Sequence, residues 1–175
     1  MADHYPYRIA SGRADLILIW QPGQDDGPDE LAVDDVGRLL VFPDLDRLQR
    51  HCENHGWELV REGEGTLDLD DVRRWVEHPH LHPLHGSVSA GLLLDAWNFF
   101  DDLSRSLKAE SALPPQGPVH DNAYEKIFGG EALVTDAGDG AWTVEEAAAV
   151  RALLRAGLNL WDRAVRGDLA ASGGE

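Results

Sequence analysis

Histidine is concentrated at two places in this 175-residue chain, and each has a spacing that metal or acid–base chemistry could use. The run His78-Pro79-His80-Leu81-His82-Pro83-Leu84-His85 alternates its imidazoles, so His78, His80, His82 and His85 could direct two or three rings at one zinc, copper or nickel ion. Glu77 is its only acidic neighbour and the prolines stiffen its backbone, so a histidine-rich exposed loop is the simpler reading and no metal or other cofactor is expected; a metal-dependent enzyme or metal-binding protein built on these four histidines is the alternative. The second place, His51-Cys52-Glu53-Asn54-His55, puts two histidines four apart on one helical face. The zinc-protease pattern needs glutamate directly after the first histidine, where Cys52 stands. In a helix's last turn His55 is favoured by the dipole, by about 0.3–1 kcal/mol. Cys52 shares a face with Leu45 and Leu48 and reads as a small core residue rather than a nucleophile.

Carboxylates are abundant but do not spell out a catalytic set. Asp101 with Asp102, and Asp70 with Asp71, are adjacent on predicted helices and point different ways, so they read as solvated edges rather than acid–base dyads. Asp136-Ala137-Gly138-Asp139-Gly140 fails as a calcium loop: with Gly140 at the sixth position, Thr135 and Ala137 fall where the first and third ligands belong. There is no nucleophile elbow, P-loop or dinucleotide fingerprint; after Gly63 and Gly65, Asp68 stands where a third glycine is needed. No catalytic residue is expected. What remains is charge. Acidic residues number 32 against 15 basic ones, a formal net charge of −17. Such a chain repels phosphate, which argues against nucleic acid and against an anionic membrane surface, and attracts a basic protein. Asp25, Asp26, Asp29, Glu30, Asp34 and Asp35 crowd one stretch with Trp20 at its entrance, and these seven residues are the candidate partner-binding set.

The elements that must carry these residues read as α+β: a small N-terminal, mostly antiparallel sheet packed against a helical C-terminal half, with helices gathered on one face. Tyr5 to Ala10 and Asp15 to Trp20 flank Ser11-Gly12-Arg13 as a hairpin, and Leu16 to Trp20 is apolar throughout, as a central strand covered on both faces would be. Gln21 to Glu30 is a loop. Arg38 to Phe42 and Trp57 to Val60 read as strands either side of a helix that Asp44 opens and Gly56 closes. Glu62 to Gly65 is a link, and Thr66 or Asp68 starts a short helix with Leu69, Val72, Trp75 and Val76 on one face. Ser89 to Leu107 carries a helical stripe of Leu93, Ala96, Phe100, Leu103 and Leu107. Pro114 to Pro118 is a rigid linker. Thr143-Val144-Glu145-Glu146 is a capping box opening a long helix with Ala147, Val150, Leu154, Leu158, Trp161 and Val165 inward, stopped at Gly167. One acidic domain over 1–167 with a flexible tail over 168–175 is the expected organisation.

The setting follows from composition. Cys52 is the only cysteine, so no intrachain disulfide can form. The opening MADHYPYRIA lacks a basic segment followed by an apolar one, so no secretory leader is expected, and no apolar run approaches a membrane span. Two lysines beside thirteen arginines, with abundant alanine and glycine, fit a GC-rich bacterial genome and a cytoplasmic protein. A small acidic α+β chain with a Phe-Pro-Asp-Leu-Asp-Arg-Leu helix start, Phe42 to Leu48, and a Trp-Asn-Phe-Phe-Asp-Asp-Leu helix, Trp97 to Leu103, resembles immunity proteins of bacterial polymorphic-toxin systems. Asn122 to Phe128 is similar to a segment in other proteins of GC-rich bacteria. The immunity resemblance implies a non-catalytic inhibitor that binds a cognate toxin domain and blocks its active site or interface. It carries over no particular residue.

Overall fold

The computed structural model describes residues 3–12, 14–62, 65–78, 89–130, 132–133 and 138–167. Strands β1 (Tyr5–Ser11) and β2 (Ala14–Gln21) form the expected hairpin, pairing Tyr5 with Trp20 and Ile9 with Leu16. A two-residue strand, β3 (Glu30–Leu31), adds antiparallel to β2, and β4 (Gly65–Asp68) adds parallel to β1, giving the order β3-β2-β1-β4. The chain is therefore α+β with a small, mostly antiparallel sheet. The two segments expected as strands at 38–42 and 57–60 contribute isolated bridges instead, among them one from Leu39 to Val33. Phe42 bridges Ile17 of β2, and Leu59 bridges His4 just ahead of β1, so the two segments flank the hairpin rather than pairing with each other.

Alternation along β2 explains why it is buried on both sides. Leu18 joins Ile9 and Leu67 in the larger core, with Leu16, Trp20 and Tyr7 packed at its margin. Ile17 and Ile19 point the other way, into a smaller core with Phe42, Leu48 and Cys52. That second core is covered by α1 (Leu45–His55), so helices do not all gather on one face. The cause is legible in the strand: an apolar residue at every position from Leu16 to Trp20 needs cover on each side.

The larger core lies under α2 (Leu69–Glu77), α3 (Ala90–Ser106), α4 (Pro118–Phe128) and α5 (Val144–Arg166). Most helix ends follow the expected capping chemistry. Asp44, Asp68, Ser89 and Thr143 each accept a backbone N–H of the first turn, and Gly56 and Gly167 close α1 and α5 in the left-handed conformation. In the capping box of α5, the Glu146 carboxylate accepts the Thr143 N–H at 3.1 Å and pairs with Lys126 of α4 at 2.7 Å. Helix α4 is an addition: Pro118 of the expected linker is its first residue, where a proline's missing N–H costs nothing. Val165 is exposed, and Ala164 takes the inward position beside Trp161. The expected tail, 168–175, lies outside the described residues.

Helices α3 and α5 meet at one close approach. Phe100 and Gly157 are both buried, and a Cβ added to Gly157 would clash with the Cγ and both Cδ carbons of the Phe100 ring. The glycine is thus a socket for the aromatic side chain, surrounded by Leu93, Leu103, Val150, Leu154 and Trp161 of the same core. Phe100→Ala should cost about 3–5 kcal/mol through lost burial and a cavity. Gly157→Ala should cost about 1–3 kcal/mol through overpacking. The double variant should lose less than the sum of the two, because Phe100→Ala frees the space that the new methyl needs. Denaturant unfolding of the three variants measures all of these terms.

Candidate functional site

Beside this contact, Phe99 projects from α3 toward the sheet and stacks on Tyr7 of β1, with ring centroids 5.8 Å apart and planes 19° from parallel. Trp20 of β2 supplies a third aromatic wall, and the three enclose a cleft of about 180 Å³ whose lining is completed by Leu31 and Asn98. Three carboxylates face the same space: Asp29 from the loop before β3, and Asp95 and Asp102 from α3. Two of the seven residues singled out by charge and aromaticity, Trp20 and Asp29, therefore come together here. Tyr7, Asp95, Phe99 and Asp102 were not among them. Their signal was spread over a strand and a helix whose patterns read as ordinary burial.

The cleft's wall is held by long-range hydrogen bonds. The Leu31 N–H donates to the Ser106 hydroxyl at 2.8 Å, and Arg105 donates to the Asp29 carbonyl at 3.1 Å, so the last turn of α3 fixes β3. The Asp29 side chain accepts from the Gly23 N–H at 2.8 Å and closes the loop on itself. Gly23 is required there, because a side chain would strike the Gly27 carbonyl. Asp25 and Asp26 occupy left-handed backbone conformations at the loop tip and are exposed, as are Glu30 and Asp35. Asp34 is turned inward to its own turn, accepting from Arg38 N–H at 2.9 Å, Val36 N–H at 3.0 Å and the Arg38 side chain at 3.1 Å. Hydrogen bonding from Arg38 and Val36 holds its carboxyl below the ordinary range.

Electrostatically the cleft is under tension. Burial pushes Asp102 up from an ordinary 3.8 to about 6, and the Asp29 and Asp101 charges add to this against the opposing Arg105, which pairs with Asp102 at 3.0 Å. Burial likewise raises Asp95. The Tyr7 phenol is held well above its ordinary value by burial and then by Asp95 and Asp102. Burial is the first cause at each of these groups and favours its neutral form; Asp95 is exposed, so the poorly solvated carboxylate is that of Asp102. Asp101 and Asp102 are accordingly not the solvated edge their sequence suggests. Both are half-buried, because α3 lies between the sheet and the segment that follows it, whose Gln116 donates to Asp101 at 2.8 Å. Asp71 is buried as well and pairs with Arg74 at 2.8 Å, while Asp70 accepts the Gly12 N–H through both oxygens at 2.8 and 2.7 Å.

The histidine motifs lie elsewhere. His51 and His55 stack with centroids 4.1 Å apart, Trp57 meets both, and His4 stacks on the far part of this group against Trp57 at 4.7 Å. The His55 Nδ1–H donates to the His51 carbonyl at 2.8 Å, which ties the last turn of α1. Cys52 is buried, and burial, with Glu53 nearby, raises its thiol, which disfavours the thiolate. His78 is exposed and caps α2 through its N–H, whereas His80, His82 and His85 lie outside the described residues. Among the described residues no group of three His, Cys, Asp or Glu side chains is placed to hold a metal ion, and no helix is long and apolar enough to cross a membrane. No known protein family, curated protein or solved structure matches the chain.

Two pH responses of opposite sign follow. Asp102 is protonated in the folded state up to about pH 6 but ionises near its ordinary value when unfolded. Its contribution to stability is complete below that ordinary value and is lost as pH rises through 6. Carboxyl-carbon NMR should show Asp102 titrating near pH 6, and Asp102→Asn should change the pH dependence of the unfolding midpoint between pH 4 and 6. His51 is held below its ordinary 6.5 by burial and by His55. Its neutral form therefore supports the fold above pH 6.5, and that support is lost as pH falls through its lowered value. His51→Phe should flatten stability below pH 6.5, read by thermal unfolding across a pH series.

Proposed function

We propose that the chain is a non-catalytic protein-binding module of the bacterial cytoplasm, most concretely an immunity-type inhibitor that neutralises a basic toxin domain. The observation that carries this reading is the placement of Trp20 and Asp29 in one open cleft with Tyr7, Phe99, Asp95 and Asp102, at the foot of a loop whose tip holds Asp25 and Asp26 in solvent. Aromatic anchors inside a ring of carboxylates are what an interface for a cationic surface needs: area to bury and a field that attracts. The net charge of −17 supplies that field at a distance. The resemblance to immunity proteins points the same way.

The loop's carboxylates divide into two jobs. Asp29 and Asp34 hold backbone, whereas Asp25, Asp26, Glu30 and Asp35 are exposed and free to steer. Changing these four to their amides should leave the fold intact and slow association with the basic partner. Steering of this kind is worth about 10- to 1,000-fold in rate and fades as the screening length falls from about 10 Å at 0.1 M salt to about 3 Å at 1 M. The measurement is binding kinetics over a salt series against the protein that co-purifies from the native host. An association rate indifferent to both salt and the four substitutions would leave the charge with a role in solubility only.

A further inference from the structure

The geometry points to the cleft between α3 and the sheet as the receptor for one arginine side chain of the partner, its guanidinium lying against Trp20 beside Tyr7 and facing Asp95 and Asp102. This rests on the reading of the chain as a binder of a basic protein, and it names the anchor.

The size comes first. A space of about 180 Å³ admits one long side chain, not a folded element. Its chemistry comes second. Half-buried Trp20 lines the cleft beside Tyr7, with Phe99 buried against Tyr7 beneath them, and the carboxylates lie on α3 at Asp95, which is exposed, and Asp102, which is half-buried, seven residues apart and so on the same side of the helix. A flat, weakly hydrated cation that stacks on rings while donating to carboxylates satisfies both demands, and guanidinium is that group; ammonium, compact and strongly hydrated, meets only one. The existing charges come third. Arg105 engages Asp102 and the Asp29 carbonyl from one side, and no basic side chain pairs with Asp95 among the described residues. The cleft therefore keeps one carboxylate, the exposed Asp95, available to an incoming cation on its α3 side. The larger cavity of about 550 Å³ along α3, lined by Asp101, Arg105, Glu110, Leu113 and Pro114, has a basic residue in its own lining and no aromatic wall, so it suits the partner's flanking surface rather than its anchor. Burial, which raises Asp95 and Asp102, agrees with a site whose charge is completed from outside.

The test uses the free protein and three small probes: N-acetyl-arginine methylamide, its lysine counterpart, and the citrulline counterpart, which keeps the shape of arginine without the charge. In NMR titrations at pH 7, the arginine probe should shift the Trp20 indole N–H and the Tyr7 and Phe99 ring signals saturably. Citrulline should leave them unmoved and lysine should bind more weakly. Asp95→Asn with Asp102→Asn should abolish the shifts while the unfolding midpoint confirms a folded chain. Equal shifts from arginine and citrulline, equal binding of lysine, or shifts confined to the loop at Asp25 and Asp26 would overturn the assignment. With the purified basic partner, the same double variant should weaken binding by about 30-fold or more, mainly through faster dissociation. Unchanged binding of that partner by the double variant would discard the arginine pocket and leave the broader reading standing. A saturable arginine site in a chain that binds no basic protein would do the reverse, keeping the pocket and discarding the broader reading.

Discussion

The seating of Phe100 against Gly157 is the contact from which the rest of the arrangement takes its spacing. It lets α3 and α5 approach until a ring fills the place of a missing side chain, and this sets where α3 lies relative to the sheet. The neighbouring residue, Phe99, then reaches Tyr7, and Asp95 and Asp102, each about one turn away, line the same cleft beside the strands. Moving α3 outward by the width of a methyl would loosen both the core and the cleft, because interiors packed this closely transmit small displacements instead of absorbing them.

Within the cleft, two demands oppose each other. The aromatic rings exclude water, and the carboxylates need it. Arg105 settles part of the conflict for Asp102, yet its guanidinium is also committed to the Asp29 carbonyl, where it helps to hold β3. The same side chain therefore serves charge balance and architecture, and it cannot move to attend to Asp95 without releasing the edge of the sheet. Desolvation of Asp102 is thus already part of the folded state, whereas Asp95 stays exposed.

The helices with strong local signals were legible in the sequence. Asp44 with Gly56, Ser89 with its stripe, and Thr143 with Glu146 mark their elements through interactions within a few residues, and the structure reproduces them. What escaped depends on distant partners. Glu30 and Leu31 sit in a stretch dense with breakers and become a strand by pairing with Gln21 and Trp20 of β2, tethered by the Leu31 N–H to the hydroxyl of Ser106, 75 residues on. Helix α4 buries only Ala123 and Ile127, too sparse a face to stand out, and is secured by Lys126 pairing with Glu146 and by the Trp142 indole donating to the Ala123 carbonyl. The site was half visible for the same reason. Trp20 and Asp29 announce themselves by composition, but Asp95 and Asp102 look like the polar side of an amphipathic helix until the sheet is placed over them.

The two-residue strand β3 has a meaning for the chain's behaviour at high concentration. Leu16 to Trp20, a run with Ile17 and Ile19 among its members, is the kind of segment that templates cross-β stacking when its outer hydrogen bonds are unoccupied. Glu30 and Leu31, together with the bridge from Phe42 to Ile17, occupy them in fragments too short and too bent to offer another molecule a new edge. Cover of this edge of β2 thus rests on a serine hydroxyl and an arginine in the last turn of one helix, which hold the short strand in place.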